Sequence, residues 1–281
     1  MIGFYYRESN ARSIKASDKL KELLRASGLD FRDVSAENAR FKDCSDIDLM
    51  IVFGGDGSVL RAAKIALDKF PIIAINTGNV GFLTSYEEQD LETLVNDIKT
   101  DCIRFSERRL MKVKCNGNSF YALNDAVVVK NYSLDNASEC VKIRFSIDGE
   151  HVDTYVADGL IISTPTGSTA YALSAGAPIV TPSVDAFLAA PICAHTLHSR
   201  PIVFAANSKP VITVCENSKE CALYVDGMFA EKIACGSSVE IERGDKCVRI
   251  CDFADKFFNK LSLKLNIWST SDGSKKGEDD E

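Results

Sequence analysis

The sequence predicts an α/β N-terminal domain with a parallel sheet, followed by a mostly β C-terminal domain. Three observations carry this. Residues 1–99 alternate short apolar runs with amphipathic stretches, as strands and covering helices do in a parallel sheet. Near residue 100 the pattern changes to β-rich segments punctuated by Asn116-Gly117, Asp148-Gly149 and Asp226-Gly227, dipeptides of tight hairpins. A glycine-dense loop with a single carboxylate, Gly54-Gly55-Asp56-Gly57, follows directly on an apolar strand, where open parallel sheets hold their ligands.

The elements follow in order. Ile2–Tyr6 reads as a strand, and Ala11–Ala26 as an amphipathic helix that Gly28 terminates. Leu49–Phe53 is a nearly continuous apolar run, the pattern of a buried strand. From Ser58 to Lys69, Val59, Leu60, Ala62, Ala63, Ile65, Ala66 and Leu67 recur at helical spacing. Ile72–Asn76 is the next strand and Glu87–Lys99 an acidic-rich helix. Beyond residue 100, "MKVKC", "FYALNDAVVVK", "VKIRFSI", "GLIIST", "PVITVC", "ALYVDG", "SVEIE" and "KCVRIC" read as strands, with one helix near Ser168–Ala175. Residues 255–265 look helical and are expected to return to the first domain; the polar, charged tail after Ser269 is expected to be disordered. The resulting division is 1–99 joined by 255–268, then 100–254, then the tail 269–281.

Composition narrows the function classes. The 281 residues are 46% hydrophobic and 26% charged, ordinary for a soluble enzyme of two domains. A net charge of −7 without a basic cluster argues against nucleic acid as a partner. No apolar run approaches the roughly 20 residues of a membrane span. The N-terminus enters a strand without the basic start and apolar core of a signal peptide, so a cytoplasmic location is expected. Ten cysteines occur without a C-x-x-C, several inside apolar strand patterns, and read as structural thiols. Three scattered histidines do not suggest a metal cluster.

Four constellations carry chemistry. In "GGDG", glycines at a helix N-terminus suit a phosphate, while Asp56 should repel one. The carboxylate fits a base beside the phosphate or a group reaching it through a metal; it equally fits a helix N-cap. Asn76-Thr77-Gly78-Asn79-Val80-Gly81-Phe82-Leu83 is a second turn-rich loop after a strand. Asn124-Asp125 interrupts an apolar strand. Either the pair bonds to backbone at a bulge or it faces a polar ligand, the amide suiting an adenine edge and the carboxylate a ribose diol. The long stretch from Ala157 to Gly176 is the richest, with five hydroxyl residues between Ser163 and Thr169 where a helix cap needs one.

"GGDG", "NTGNVGFL", "LND" and "DGLIISTPTGSTAYALSAG" occur together in this order in one family, and the sequence closely resembles the NAD kinases over about residues 2–265. The first motif is shared with other kinases; the last is highly specific. The resemblance implies a two-domain NAD kinase-like fold and phosphoryl transfer from ATP, or in some members polyphosphate, to the 2′-hydroxyl of the adenosine ribose of NAD. Asp56 would take the hydroxyl proton, Gly54, Gly55 and Gly57 would shape the phosphate loop, and Arg61 would touch phosphate. Phe82 would line the pocket near the adenine, and Asn124 and Asp125 would hold the adenosine. Thr166, Thr169, Ala170, Tyr171, Ala172, Leu173 and Ser174 would line the dinucleotide pocket. Asp158 would meet the nicotinamide end across a subunit interface, which implies a homodimer or homotetramer. Mg²⁺ or another divalent ion would come with the donor, with no metal caged by the protein. Two departures stand out: Asp125 replaces the commoner Glu, and Tyr155-Val156-Ala157 lacks the basic residue many members carry before Asp-Gly.

Overall fold

The computed structural model describes residues 1–34, 44–78, 81–131, 140–196, 198–252 and 257–269, with side chains of the last helix up to 263. The expected tail and the Asn79-Val80 step of the second loop lie outside these. Strands and helices run β1 (Ile2–Tyr5), α1 (Ala11–Ala26), β2 (Phe31–Asp33), β3 (Leu49–Phe53), α2 (Asp56–Ala66), β4 (Ile72–Asn76), β5 (Tyr86–Glu87) and α3 (Leu91–Lys99). They continue with β6 (Phe105–Cys115), β7 (Asn118–Ala122), β8 (Asp125–Lys130), β9 (Val141–Ile147), β10 (Glu150–Ala157), β11 (Gly159–Ser163) and α4 (Tyr171–Ser174). The last are β12 (Ala186–Ile192), β13 (Ile202–Ala205), β14 (Pro210–Val214), β15 (Cys221–Val225), β16 (Met228–Ile233), β17 (Ser238–Cys251) and α5 (Phe257–Ser269).

The chain forms two compact units. Unit 1 comprises Met1–Ser106 with Arg249–Glu281, and unit 2 comprises Glu107–Val248. In unit 1, β2, β1, β3 and β4 pair in parallel, and Ile250 continues the sheet in parallel beside Ile72. Asn10 starts α1 by accepting the N–H groups of Arg12 (3.1 Å) and Ser13 (3.2 Å), and Gly28 at φ +70° ends it. The buried face of α1, Ala16, Leu20 and Leu24, packs with Phe4, Ile51, Phe53, Ile73 and Leu94 into one core. The parallel sheet with covering helices is the one the sequence predicts.

Unit 2 is mostly β, as predicted, and antiparallel. One sheet runs β13-β12-β11-β8-β15-β16; on the other, β10, β9, β14 and β17 are successive neighbours, and β6 pairs with β17 and β7. Apolar residues of both, among them Val113, Val128, Phe145, Leu160, Phe187 and Ile212, share a single core.

Three readings need correction. "FYALNDAVVVK" is not one strand: β7 ends at Ala122 and β8 begins at Asp125, so Leu123-Asn124 forms a break. "SVEIE" and "KCVRIC" are one strand, β17, because Gly244 lets it run so close to β6 that a Cβ there would collide with the Leu110 carbonyl. The helix near Ser168–Ala175 is a 3₁₀ turn, Thr166–Thr169, and one α turn, separated at Ala170 by an extended backbone (φ −104°, ψ −129°).

Candidate active site

In unit 1 the apolar β3 delivers the chain to the glycine loop. Gly54 has φ +150°, and a Cβ there would collide with Ser58, so glycine is required. At Gly55 and Gly57 an added Cβ meets nothing within 4 Å, so the space beside both is open. The helix α2 begins at Asp56, two residues earlier than predicted, with Gly55 as N-cap and no side-chain capping bond.

Asp56 therefore does not cap its helix. Its carboxylate accepts the backbone N–H of Phe82 (3.0 Å) and Leu83 (2.9 Å) from the loop after β4. Gly81 lies so close beneath that a Cβ would collide with Asp56 Oδ1. Two bonds to an ionised acceptor fix the carboxylate's direction. The loop is braced from other sides as well. Thr77 Oγ1 lies 2.8 Å from Ser13 Oγ, and Asn76 Nδ2 donates to Glu87 (3.0 Å). Lys260 of α5 donates to the carbonyls of Phe82 and Thr84, and the Phe82 and Phe257 rings are 6.4 Å apart. Arg61 is half-buried on α2.

In unit 2 the Asn-Asp pair sits where β8 begins, and its backbone is held on both sides. Asp226 accepts the N–H groups of Leu123 (3.0 Å), Asn124 (2.7 Å) and Asp125 (3.3 Å), and its own N–H donates to the Asp125 carbonyl (3.0 Å). Thr164 Oγ1 donates to the Leu123 carbonyl, while Thr164 N–H (2.8 Å) and Ser163 Oγ (3.2 Å) donate to that of Asn124. Gly167 is pressed against the same carbonyl, where a Cβ would not fit. The side chains are treated differently. Asn124 is 7% exposed, and its Oδ1 is buried without a hydrogen-bond partner. Asp125 is 5% exposed, and burial together with the Asp226 charge pushes its carboxyl up to about 7.

The hydroxyl-rich loop divides its labour. Ser163 and Thr164 brace Leu123-Asn124, and Ser168 donates to Pro165 O (2.7 Å) and accepts from Val180 N (3.0 Å). The excess of hydroxyls over a cap is thus partly internal bracing, with no side-chain cap on either turn. Thr166, Thr169, Ala170 and Leu173 are half-buried, Ser174 is exposed and Tyr171 is 45% exposed. Ala172 is fully buried in a core with Val127, Ile161 and Leu188. A cavity of about 250 Å³ opens beside Thr164, Pro165 and Thr166, with Arg108, Arg109 and Arg243 on its wall. Asp158 makes an ion pair with Lys130 (2.7 Å).

Sequence reasoning missed Asp226, Lys130 and Lys260. Asp226-Gly227 was legible only as a hairpin signal; that Asp226, at φ +51°, turns its carboxylate onto residues a hundred positions earlier has no local signature. Among the described residues, no group of three or more His, Cys, Asp or Glu is placed to hold a metal, and no helix is long and apolar enough to cross a membrane. The ten cysteines are all free thiols; burial raises that of Cys221 to about 12.

An open glycine loop at a strand–helix junction, with one carboxylate oriented by a neighbouring loop, places the chain among the phosphotransferases. The family model of the ATP-NAD kinase N-terminal domain matches residues 4–103, and that of the C-terminal domain matches residues 124–253. The chain belongs to the NAD kinase family, whose reaction is the phosphorylation of NAD to NADP. It is 36% identical over 226 residues to the NAD kinase of Heliobacterium modesticaldum, covering 78% of each chain. It is 37% identical over 242 residues to that of Clostridium beijerinckii, covering 83% of this chain and 84% of the other. Its fold is similar to that of yeast NADH kinase complexed with NADH (TM-score 0.83, 20% identity, covering 99% of this chain and 89% of the other). It is also similar to an NAD kinase from Archaeoglobus fulgidus in complex with ATP (TM-score 0.77, 24% identity, covering 95% and 99%).

Proposed function

We propose that the chain transfers the terminal phosphoryl group of ATP to the 2′-hydroxyl of the adenosine ribose of NAD, with Asp56 as general base and Asn124 and Asp125 as the adenosine-holding pair. The observation that carries this reading is the contrast at Leu123–Asp125. All three N–H groups and all three carbonyls there are bonded within the protein, while Asn124 Oδ1 is buried and unpartnered. An unpaired buried acceptor costs roughly 1–3 kcal/mol, a cost a ligand's N–H removes on binding. An adenine amino group is such a donor, and the adjacent Asp125 carboxylate, when ionised, accepts from ribose hydroxyls.

In the reaction, Asp56 accepts the proton of the 2′-hydroxyl as the hydroxyl oxygen bonds to the terminal phosphorus and the bond from that phosphorus to the bridging oxygen breaks, releasing ADP. The N–H groups of Phe82 and Leu83 hold the carboxylate in one orientation, which favours proton transfer by removing the search over rotamers. The open space at Gly55 and Gly57 and the N-terminus of α2 suit the donor phosphates, and Arg61 lies on the same helix. A magnesium ion is held through few carboxylates plus substrate phosphates, and a glycine loop with one carboxylate fits an ion that enters with the donor. When bound, that ion supplies charge neutralisation on the phosphates. Thr166, Thr169, Ala170, Tyr171, Leu173 and Ser174 line the dinucleotide, as does Ala172 through its backbone. Asp158, with Lys130 beside it, serves the nicotinamide end of a neighbouring subunit's ligand in a homodimer or homotetramer.

The test is a coupled assay for NADP with NAD, ATP and Mg²⁺. NADP formation that stops in excess EDTA is expected. No NADP from pure protein at any donor concentration, with ATP or polyphosphate, would overturn the assignment.

A further inference from the structure

We infer that Asp226 is the positioning residue of the adenosine pair: its carboxylate fixes the break between β7 and β8 so that Asn124 and Asp125 face the ligand, and its charge acts on the adjacent Asp125 carboxyl. The inference rests on the proposed role of Asn124 and Asp125. Leu123 and Asn124 leave the β ladder between β7 and β8, and their N–H groups and that of Asp125, the first residue of β8, turn to Asp226. Three consecutive donors left bare would collapse onto the nearest acceptors, which include the Asn124 and Asp125 side chains themselves. Asp226 takes all three donors, at 3.0, 2.7 and 3.3 Å, and so keeps both side chains from closing on their own backbone. The single Asp226 N–H returns to the Asp125 carbonyl at 3.0 Å, which locks the register between the β15–β16 turn and the start of β8.

The electrostatic half follows from the same placement. Asp125 is buried, and Asp226 is the charged neighbour that acts on it. The Ser163–Gly167 face brings hydroxyls, amides and carbonyls and no ionisable group. Burial chiefly, and beside it the Asp226 charge that the three N–H groups hold in place, keep the proton on Asp125 to higher pH. Loss of that proton turns Asp125 from a mixed donor and acceptor into a charged, acceptor-only partner for the ligand's hydroxyls.

The test compares Asp226→Asn, Asp226→Glu and Asp125→Asn, reading the KM for NAD, kcat and the pH dependence of KM. Asn tolerates the left-handed backbone of this position as Asp does, so the turn is kept while one acceptor becomes a donor and the charge is lost. For Asp226→Asn we expect KM for NAD to rise about tenfold or more, as for one lost bond to a charged group, with kcat within about threefold. The pH midpoint of KM should move down. Asp226→Glu keeps the charge and displaces the oxygens, so KM should rise while the midpoint stays near that of the parent. Wild-type KM and midpoint in Asp226→Asn, with an altered KM in Asp125→Asn, would overturn the inference alone. An Asp125→Asn variant with unchanged KM and pH profile would instead overturn the site assignment, and the inference with it. If Asp226→Asn melts below the assay temperature, Asp226→Glu decides: an unchanged KM refutes the positioning role.

Discussion

Replacing Asp56 by Asn separates a base from a brace, and the structure gives both effects a size. Each carboxylate oxygen accepts one backbone N–H, from Phe82 at 3.0 Å and Leu83 at 2.9 Å. In the amide one of those oxygens becomes an NH₂ group facing a donor, so one bond is lost and two donors abut, at about 1–3 kcal/mol. At roughly 2–4 °C per kcal/mol for chains of this size, Tm should fall by several degrees. Were this loosening the whole effect, kcat would fall by at most about two orders of magnitude, since each 1.36 kcal/mol is about tenfold. Loss of the proton acceptor contributes a further ~10²–10⁴. Gly81→Ala supplies the control, because its Cβ would push the Asp56 carboxylate out of position while keeping it a carboxylate, a proton acceptor. Measured by coupled NADP formation, Asp56→Asn should lose at least about tenfold more kcat than Gly81→Ala at comparable Tm, with KM for NAD changed less than about fivefold. Equal kcat in the two variants, or an Asp56→Asn enzyme within about tenfold of the parent, would refute general-base catalysis by this residue.

Asn124→Ala should weaken NAD binding by about 1–3 kcal/mol with no matching loss of Tm, because the atom removed is unpartnered in the free protein; a Tm loss without an affinity loss, read by calorimetry, would contradict this. Asp125 carries a folded-state value of about 7 against 3.8, so between these the unfolded chain has released a proton the folded chain keeps, and stability falls as pH rises through that window and levels off above it. Asp125→Asn removes that slope, and thermal melts should find the variant more stable than the parent at pH 8, by at most a few kcal/mol at about 1.4 kcal/mol per pH unit, with the gap closing towards pH 4. Lys260→Met removes the donor to the Phe82 and Thr84 carbonyls and should lower both Tm and kcat, whereas KM for NAD should hold in steady-state assays. Mixing Asp56→Asn with Asp158→Asn protein should restore activity if Asp158 serves a neighbouring subunit; a fully active monomer in sedimentation would exclude that arrangement.

Unit 1 was legible because its local signals and its packing agree. The apolar runs of β3 and β4, the Asn10 cap, the periodicity of α1 and the Gly28 stop each specify one structure without reference to distant residues. The chemistry-bearing loops were legible as positions but not as contacts. Asp56 looked equally like a cap, and only the approach of Phe82 and Leu83, 26 and 27 residues on, shows what its oxygens do. In unit 2, β12 and β13 escaped notice because Ala186–Ile192 holds three alanines and a proline among its seven residues and owes its strand form to neighbours on both sides. The Gly244 step in β17 has the composition of a turn and becomes strand through close approach to β6.

The discontinuity of unit 1 has a consequence for synthesis. Ile72 of β4 is flanked by Ile250, Ser85 donates to the Cys251 carbonyl, and the Phe82–Thr84 segment is held by Lys260. None of these late residues exists when the first 106 have left the ribosome. At roughly 5–20 residues per second, the intervening chain takes on the order of ten seconds to emerge. During that interval nascent unit 1 carries an apolar strand with part of its edge open to pairing with other chains. The loop that orients Asp56 acquires its last brace only once Lys260 has emerged, so no product truncated before that residue should turn over, and a chaperone that shields the β4 edge would raise the yield of active enzyme.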